Sequence, residues 1–398
     1  MSTPAGAASQ GPATQGPAPT QFGSFRLGYR PAFDGIRGVF VLVVLAVHAT
    51  YLLVPKYEGL YVPGGFIAVD VFFVLSGFLI TSLLLQEWDR HDRIDLRAFY
   101  RRRALRLFPA LWTVMIVQLI YTIVVHDPLG YELKGLAAIF FYVGNFSWKF
   151  GAIIPDAFGQ TWSLAIEEQF YLLWPLALIA LIRMRNRRLT IGVMVALIAV
   201  AFVIRAVLFH AGVPWNKVYV QTECRFDTLM VGTLFAYLLH TGTRLPRRIG
   251  VYGVLGMVLL LAITVSAHRE DGWMFYGGYT AVALASGLIC VAALDEHWAF
   301  GWLFGARPFR FLGRLSYSLY VWHVFVFLAV ERAWRHHSDW VRLTAALIIT
   351  FAASLFSFYV IERPFLRRKR SVLAMPLSTT NAAARRPEAM QEAIPEPR

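Results

Sequence analysis

Two ionisable residues, Arg37 and His48, stand eleven positions apart in the apolar run "FDGIRGVFVLVVLAVHAT", Phe33 to Thr50. In a helix that spacing leaves both on one face, within about 20° of each other and about 16 Å apart along the axis. Asp34, three residues before Arg37, shares the face and can pair with it. An imidazole within an apolar helix accepts a proton near neutral pH, which suits a general base. It equally suits a neutral hydrogen bond between packed helices, and the spacing alone leaves both readings open. A zinc site is the weaker idea, because the other mid-span histidine, His323, has no second residue at ligand spacing.

Further groups able to do chemistry recur along the chain. "FIAVDVFFVLSGFLIT" (Phe66 to Thr81) carries Asp70, Ser76 and Gly77. The serine and glycine read as a small-residue packing seam, and Asp70 lies toward an outer end where a carboxylate could hydrate. "LRAFYRRRALRLFPALW" (Leu96 to Trp112) packs Arg101, Arg102, Arg103 and Arg106 into one cationic patch. Planar guanidinium groups grip phosphates bidentately, so a phosphorylated ligand fits; an anchor on anionic lipid headgroups fits the same residues. "TWSLAIEEQFYLLWPL" (Thr161 to Leu176) carries Glu167 and Glu168, which point about 100° apart, so at most one faces a given cavity and the other pairs with an arginine. "FLGRLSYSLYVWHVFVF" (Phe311 to Phe327) adds Tyr317, Tyr320 and His323, while "YVIERPF" (Tyr359 to Phe365) reads as a helix end with Glu362 and Arg363 as a local cap.

The elements that must hold these residues follow from composition. The 398 residues are 57% hydrophobic and 16% charged, with mean hydropathy +0.53, which excludes an ordinary soluble domain and predicts an all-α integral membrane protein. A bilayer crossing takes about 20 apolar residues. On that rule there are about ten transmembrane helices, near 34–54, 65–86, 107–126, 163–182, 191–211, 225–240, 249–266, 273–294, 312–331 and 341–361. "KGLAAIFFYVGNF", Lys134 to Phe146, is too short to cross and reads as re-entrant or interfacial. With both termini cytoplasmic, 27 of the 38 Lys and Arg fall on the cytoplasmic side, as the positive-inside rule requires. The net charge of +14 is therefore topogenic, and no nucleic-acid partner is expected. Cys224 and Cys290 form no CxxC pair and read as two buried thiols. Residues 1–28 and 371–398, rich in Ala, Pro and polar residues, read as disordered cytoplasmic tails around a membrane domain at 29–370.

"FDGIRGVFVLVVLAVHA", "VDVFFVLSGFLIT", "FYRRRALRLFPAL", "WSLAIEEQFYLLWPL", "LGRLSYSLYVWH" and "IERP", in this order, resemble the membrane acyltransferase 3 family of O-acyltransferases. The resemblance implies a ten-helix enzyme of the cell membrane that moves an acyl group, usually acetyl from acetyl-CoA, to a hydroxyl of a glycan or secondary metabolite, with no metal. It makes His48 the essential group, with Arg37 as the second member of its motif, and assigns Arg101, Arg102, Arg103 and Arg106 to the CoA phosphates. Asp34, Asp70, Ser76, Glu167, Glu168, Tyr317 and His323 are left as substrate or structural support. Some members of that family carry a fused hydrolase-like domain outside the membrane; this chain ends about 30 residues after its last span, so transfer completed within the membrane domain is the expectation. The alternative from another class is a transporter or flippase with a proton path through His48, Asp70 and Glu168. The absence of an internal repeat and the density of the arginine patch weigh against it.

Overall fold

Thirteen helices and their connections account for the residues described by a computed structural model, 25–57, 62–149, 154–243 and 248–367. They are α1 (Pro31–Leu53), α2 (Ala68–His91), α3 (Leu96–Val124), α4 (Leu129–Phe140), α5 (Trp162–Arg183), α6 (Arg187–His210) and α7 (Trp215–Tyr219), followed by α8 (Thr222–His240), α9 (Ile249–Ser266), α10 (Tyr279–Ala292), α11 (Gly301–Gly305), α12 (Arg307–Ala333) and α13 (Asp339–Phe356). Their starts carry ordinary signals. Pro31 opens α1 with Asp34 in its first turn, and the Asp95 and Asn186 side chains cap α3 and α6 by accepting from the Ala98 and Leu189 amides.

Nine of the helical segments among the described residues are long and apolar enough to cross a membrane. Their outward faces are apolar: Val195, Val200, Val203 and Val207 on α6 and Val251, Leu255, Val258 and Val265 on α9 are all exposed. A continuous apolar surface of that kind suits lipid, not water. The difference from the expected ten is α8. Three charges, Glu223, Arg225 and Asp227, sit in its first two turns, yet thirteen of its residues are buried against α2, α6 and α10. It is a helix solvated by protein. The segment read as re-entrant, Lys134 to Phe146, takes in the second half of α4 and the start of the 3-10 stretch Gly144–Lys149; the twelve residues of α4 reach about 18 Å, well short of a roughly 30 Å hydrocarbon core.

Two glycine seams set the closest helix approaches. A Cβ on Gly77 of α2 would lie 2.1 Å from the Leu229 carbonyl oxygen, and one on Gly232 of α8 would lie 2.0 Å from that of Val74. The same holds where α1 meets α11 and α12: Gly35 faces the Phe304 carbonyl, Gly38 that of Phe309, and Gly313 that of Asp34. The glycines flanking Arg37 thus bind α1 backbone-to-backbone on one side and fix the direction of the arginine on the other.

Two expectations are corrected. Asp70 is not a hydrated group at a helix end: it is fully buried and hydrogen-bonds the guanidinium of Arg225, which lies against the Tyr279 and Tyr219 rings at 4.2 and 4.9 Å. A second buried pair adjoins it, with Arg205 Nη1 donating to Asp227 at 2.8 Å and Arg205 Nη2 to Thr280 at 2.7 Å. Glu362 is not a cap on the rim. The π-helical stretch Ser357–Glu362 turns it inward, where it accepts from Ser318 at 2.5 Å and Ser357 at 3.0 Å. The expected tails lie outside the described residues except for 25–28, and these dock on the bundle: Leu27 is buried and Phe25 meets His240 edge-on at 4.9 Å. At the opposite end of the bundle, Arg332 donates twice to Asp127 and holds that exposed carboxyl below the usual range.

Candidate active site

A cavity of about 1390 Å³ opens between α1, α2, α3, α5 and α12. Its mouth holds the exposed Arg90, Arg97 and Arg101, and its inner end reaches Ser163 and Tyr320. Arg37, Ser76, Arg102, Arg103, Arg106, Glu167 and Tyr317 line the walls.

The arginines divide into groups. Arg102 is neutralised by Glu87 at 3.1 Å, whose other oxygen accepts the Asp95 amide at 2.8 Å, so this residue closes the wall. Deeper in, the Arg103 guanidinium lies flat over the Tyr171 ring, 3.6 Å from its centroid. Arg37 pairs with Asp34 at 3.5 Å. Arg37, Arg103 and Arg106 all act on Glu167, and Arg103 and Arg106 act on Glu168 as well. Glu167 is held in place by Ser76, whose hydroxyl donates to it at 2.6 Å. Helix geometry explains the division of labour between neighbours: Gly77 faces α8 while Ser76 faces the cavity, and Glu167 faces it while Glu168 is absent from its lining.

His48 is not part of the cavity wall. Its Nδ1 lies 2.9 Å from the Val44 carbonyl oxygen, which can only accept, so Nδ1 carries the proton and Nε2 holds the basic lone pair. The His48 ring meets His323 nearly edge to face, with centroids 4.9 Å apart, and His323 in turn lies 5.7 Å from Tyr320 at the end of the cavity. Tyr320 donates to the Gln160 carbonyl at 2.7 Å and takes a hydrogen bond from Ser163 at 2.6 Å. Tyr317, one turn nearer the mouth on α12, donates to the Leu107 carbonyl at 2.7 Å and joins α12 to α3. The arrangement can therefore hold an elongated anionic molecule from the mouth to Tyr320 and place an imidazole base two ring contacts beyond. Among the described residues no group of three or more His, Cys, Asp or Glu side chains converges as metal ligands do.

Residues 30–361 match a family described as an acyltransferase domain. The chain belongs to this acyltransferase family. It is similar to the peptidoglycan O-acetyltransferase OatA of Listeria monocytogenes, 31% identical over 312 residues that cover 74% of this chain and 49% of the relative. It is also similar to the O-acetyltransferase OatA of Staphylococcus aureus, 30% identical over 360 residues that cover 86% of this chain and 58% of the relative. The chain thus spans about half the length of the curated relatives it matches. No solved structure matches.

The acyltransferase match spans all five helices that wall the cavity, from α1 to α12. Sequence reasoning gave Ser163 no role, took Tyr171 for one of the aromatics of an interfacial belt or a sugar-stacking surface, and read Glu362 as a helix cap. Tyr171 carried a signal: it lies four residues after Glu167, one turn along the same helix face. Ser163 and Glu362 carried none, because their contacts, Tyr320 and Ser318, lie 157 and 44 residues away.

Proposed function

We propose that the chain is a multi-pass O-acyltransferase of the cell membrane that takes an acyl group, most simply acetyl, from acyl-CoA and places it on a hydroxyl of a glycan. The observation that carries this reading is an arginine-rich mouth opening into a cavity of about 1390 Å³ whose inner end, Tyr320, is joined through the His323 ring to an imidazole with its Nε2 left free by the Nδ1 hydrogen bond. With the arginine-rich end in the cytoplasm, and both termini there, the mouth opens where CoA is found. The names of the relatives support acetyl as the group and a cell-wall saccharide as the acceptor class.

In this mechanism Arg90, Arg97 and Arg101 take the CoA phosphates, and Arg103 and Arg106 draw the chain inward. Tyr320 and His323 mark the layer at which the thioester meets the acceptor. His48 Nε2 takes the proton of the acceptor hydroxyl, the oxygen forms its bond to the thioester carbon, and the carbon–sulfur bond breaks to release CoA thiolate, which is then protonated. Arg37, held by Asp34 and by the glycine contacts on either side of it, offsets negative charge developing in the cavity.

The test uses the purified full chain with isotope-labelled acetyl-CoA and cell-wall glycan strands. Label on the saccharide is the expected result, and His48→Ala is expected to lower transfer by about 10² to 10⁴-fold with an unchanged melting profile. Absence of transfer by the parent chain, or near-parental activity in His48→Ala, would overturn the proposal.

A further inference from the structure

His323 carries no chemical step in the mechanism above, yet it is fully buried where the cavity end and His48 are joined through ring contacts. Its Nδ1 lies 2.8 Å from the Tyr320 carbonyl oxygen and 3.1 Å from that of Leu319. Both carbonyls only accept, so the Nδ1 proton is committed to the backbone and Nε2 is left as a bare lone pair. That nitrogen is buried with no hydrogen-bond partner, an arrangement that costs free energy and calls for a reason. The nearby ring of His48 supplies one. His48 is anchored in the same way, by Nδ1 to the backbone carbonyl one turn earlier, so the two imidazoles are presented to each other as fixed neutral tautomers. Arg269, in the connection between α9 and α10, acts on His48, and Tyr320 is the other titratable group beside His323.

We infer that His323 is a positioning residue for proton transfer at His48: its neutral, backbone-anchored ring holds the His48 ring in place and steadies the imidazolium that forms when Nε2 takes the acceptor's proton. His323 neither gains nor loses a proton over the cycle. The proton passes from the acceptor oxygen to His48 and from there to the departing thiolate. An acceptor lone pair beside a transient cation lowers its energy more than it lowers that of the neutral ring, so the contact acts on the transition state and not on donor binding.

The inference rests on the acyl-transfer reading, and two measurements on the full chain keep their failures apart. The first is the pH profile of labelled acetyl transfer for the parent, His323→Phe and His323→Gln. The phenylalanine ring keeps the packing and removes both nitrogens; glutamine restores an acceptor. His323→Phe is expected to lower kcat by about 10-fold or more, to leave KM for acetyl-CoA within about twofold, and to move the acidic limb of kcat/KM toward lower pH by about half a unit, with His323→Gln intermediate. The second needs no donor: a nitrogen-15 NMR titration of the His48 ring in the detergent-solubilised chain, in which His323→Phe is expected to move His48 protonation toward lower pH by a similar amount. An unshifted His48 titration overturns the inference whatever the chain's activity. So does a His323→Phe enzyme with the parental pH profile. A shifted titration in a chain that transfers no label sustains the coupling of the two rings and removes the acyl-transfer reading.

Discussion

Ser76 and Gly77 are neighbours with opposite duties, and their division shows how finely the cavity is specified. The Ser76 hydroxyl orients Glu167, a buried carboxylate in the field of Arg103, Arg106 and Arg37. Glu167→Ala removes a buried carboxylate that offsets the charge of Arg103 and Arg106, and a loss of about 1 to 3 kcal/mol in stability is expected from a thermal melt, together with a raised KM for acyl-CoA. Arg103→Lys tests the flat contact with Tyr171. A lysine keeps the charge but cannot stack, so KM for acyl-CoA is expected to rise about 10-fold while the melting profile holds; an unchanged KM would show that charge alone matters there. Much of this layer was legible in the sequence. The eleven-residue spacing singled out Arg37, which lines the cavity, and His48, which lies outside its wall, and the 100° step between Glu167 and Glu168 limited the lining to one of them. Asp70 was misread because what decides its state is Arg225, 155 residues away, and no local pattern carries that information.

At the scale of elements, close backbone contact and buried charge do the work that hydrophobic burial does in water-soluble bundles, since lipid is as apolar as the helix faces it meets. The seam between α2 and α8 predicts that Gly232→Ala or Gly77→Ala forces the helices apart at a cost of about 1 to 3 kcal/mol, whereas Gly192→Ala on α6, where an added Cβ meets nothing within 4 Å, serves as a neutral control. Arg225→Ala strands Asp70 and is expected to cost about 3 to 5 kcal/mol, more than the loss of any single apolar contact nearby; a melting temperature equal to that of the parent would remove the pair's structural role. Hydropathy recovered the position of every long helix, including α8 at its expected place and α4 as a non-crossing segment. It could not tell that α8 meets protein on all sides, because the charge that lowers its hydropathy is compensated only in the folded bundle. The charges Arg205 on α6 and Arg225 on α8, both within spans placed by hydropathy, are paired only there.

For the whole molecule, the distribution of arginines and the direction of the cavity make one joint prediction. Reporter fusions at Arg187 and Arg335 are expected on opposite faces of the membrane, Arg187 on the side of the cavity mouth; finding both on one face would sink the assigned orientation and, with it, access of a cytoplasmic donor. The charges on α8 also bear on how the chain is built. A helix with Glu223, Arg225 and Asp227 in its first two turns enters lipid poorly on its own. Its counter-charges belong to segments made before it: Asp70 on α2, and Arg205 on α6, which only the short α7 and its turns separate from α8. During synthesis α6 can therefore wait at the insertion site until α8 arrives, and the two can leave as a neutralised hairpin that closes onto α2. The buried ion pairs then act as a checkpoint on the order of assembly, passed before the last five helices are made, and the α2 that lines the cavity is already held in place when α12 brings in His323.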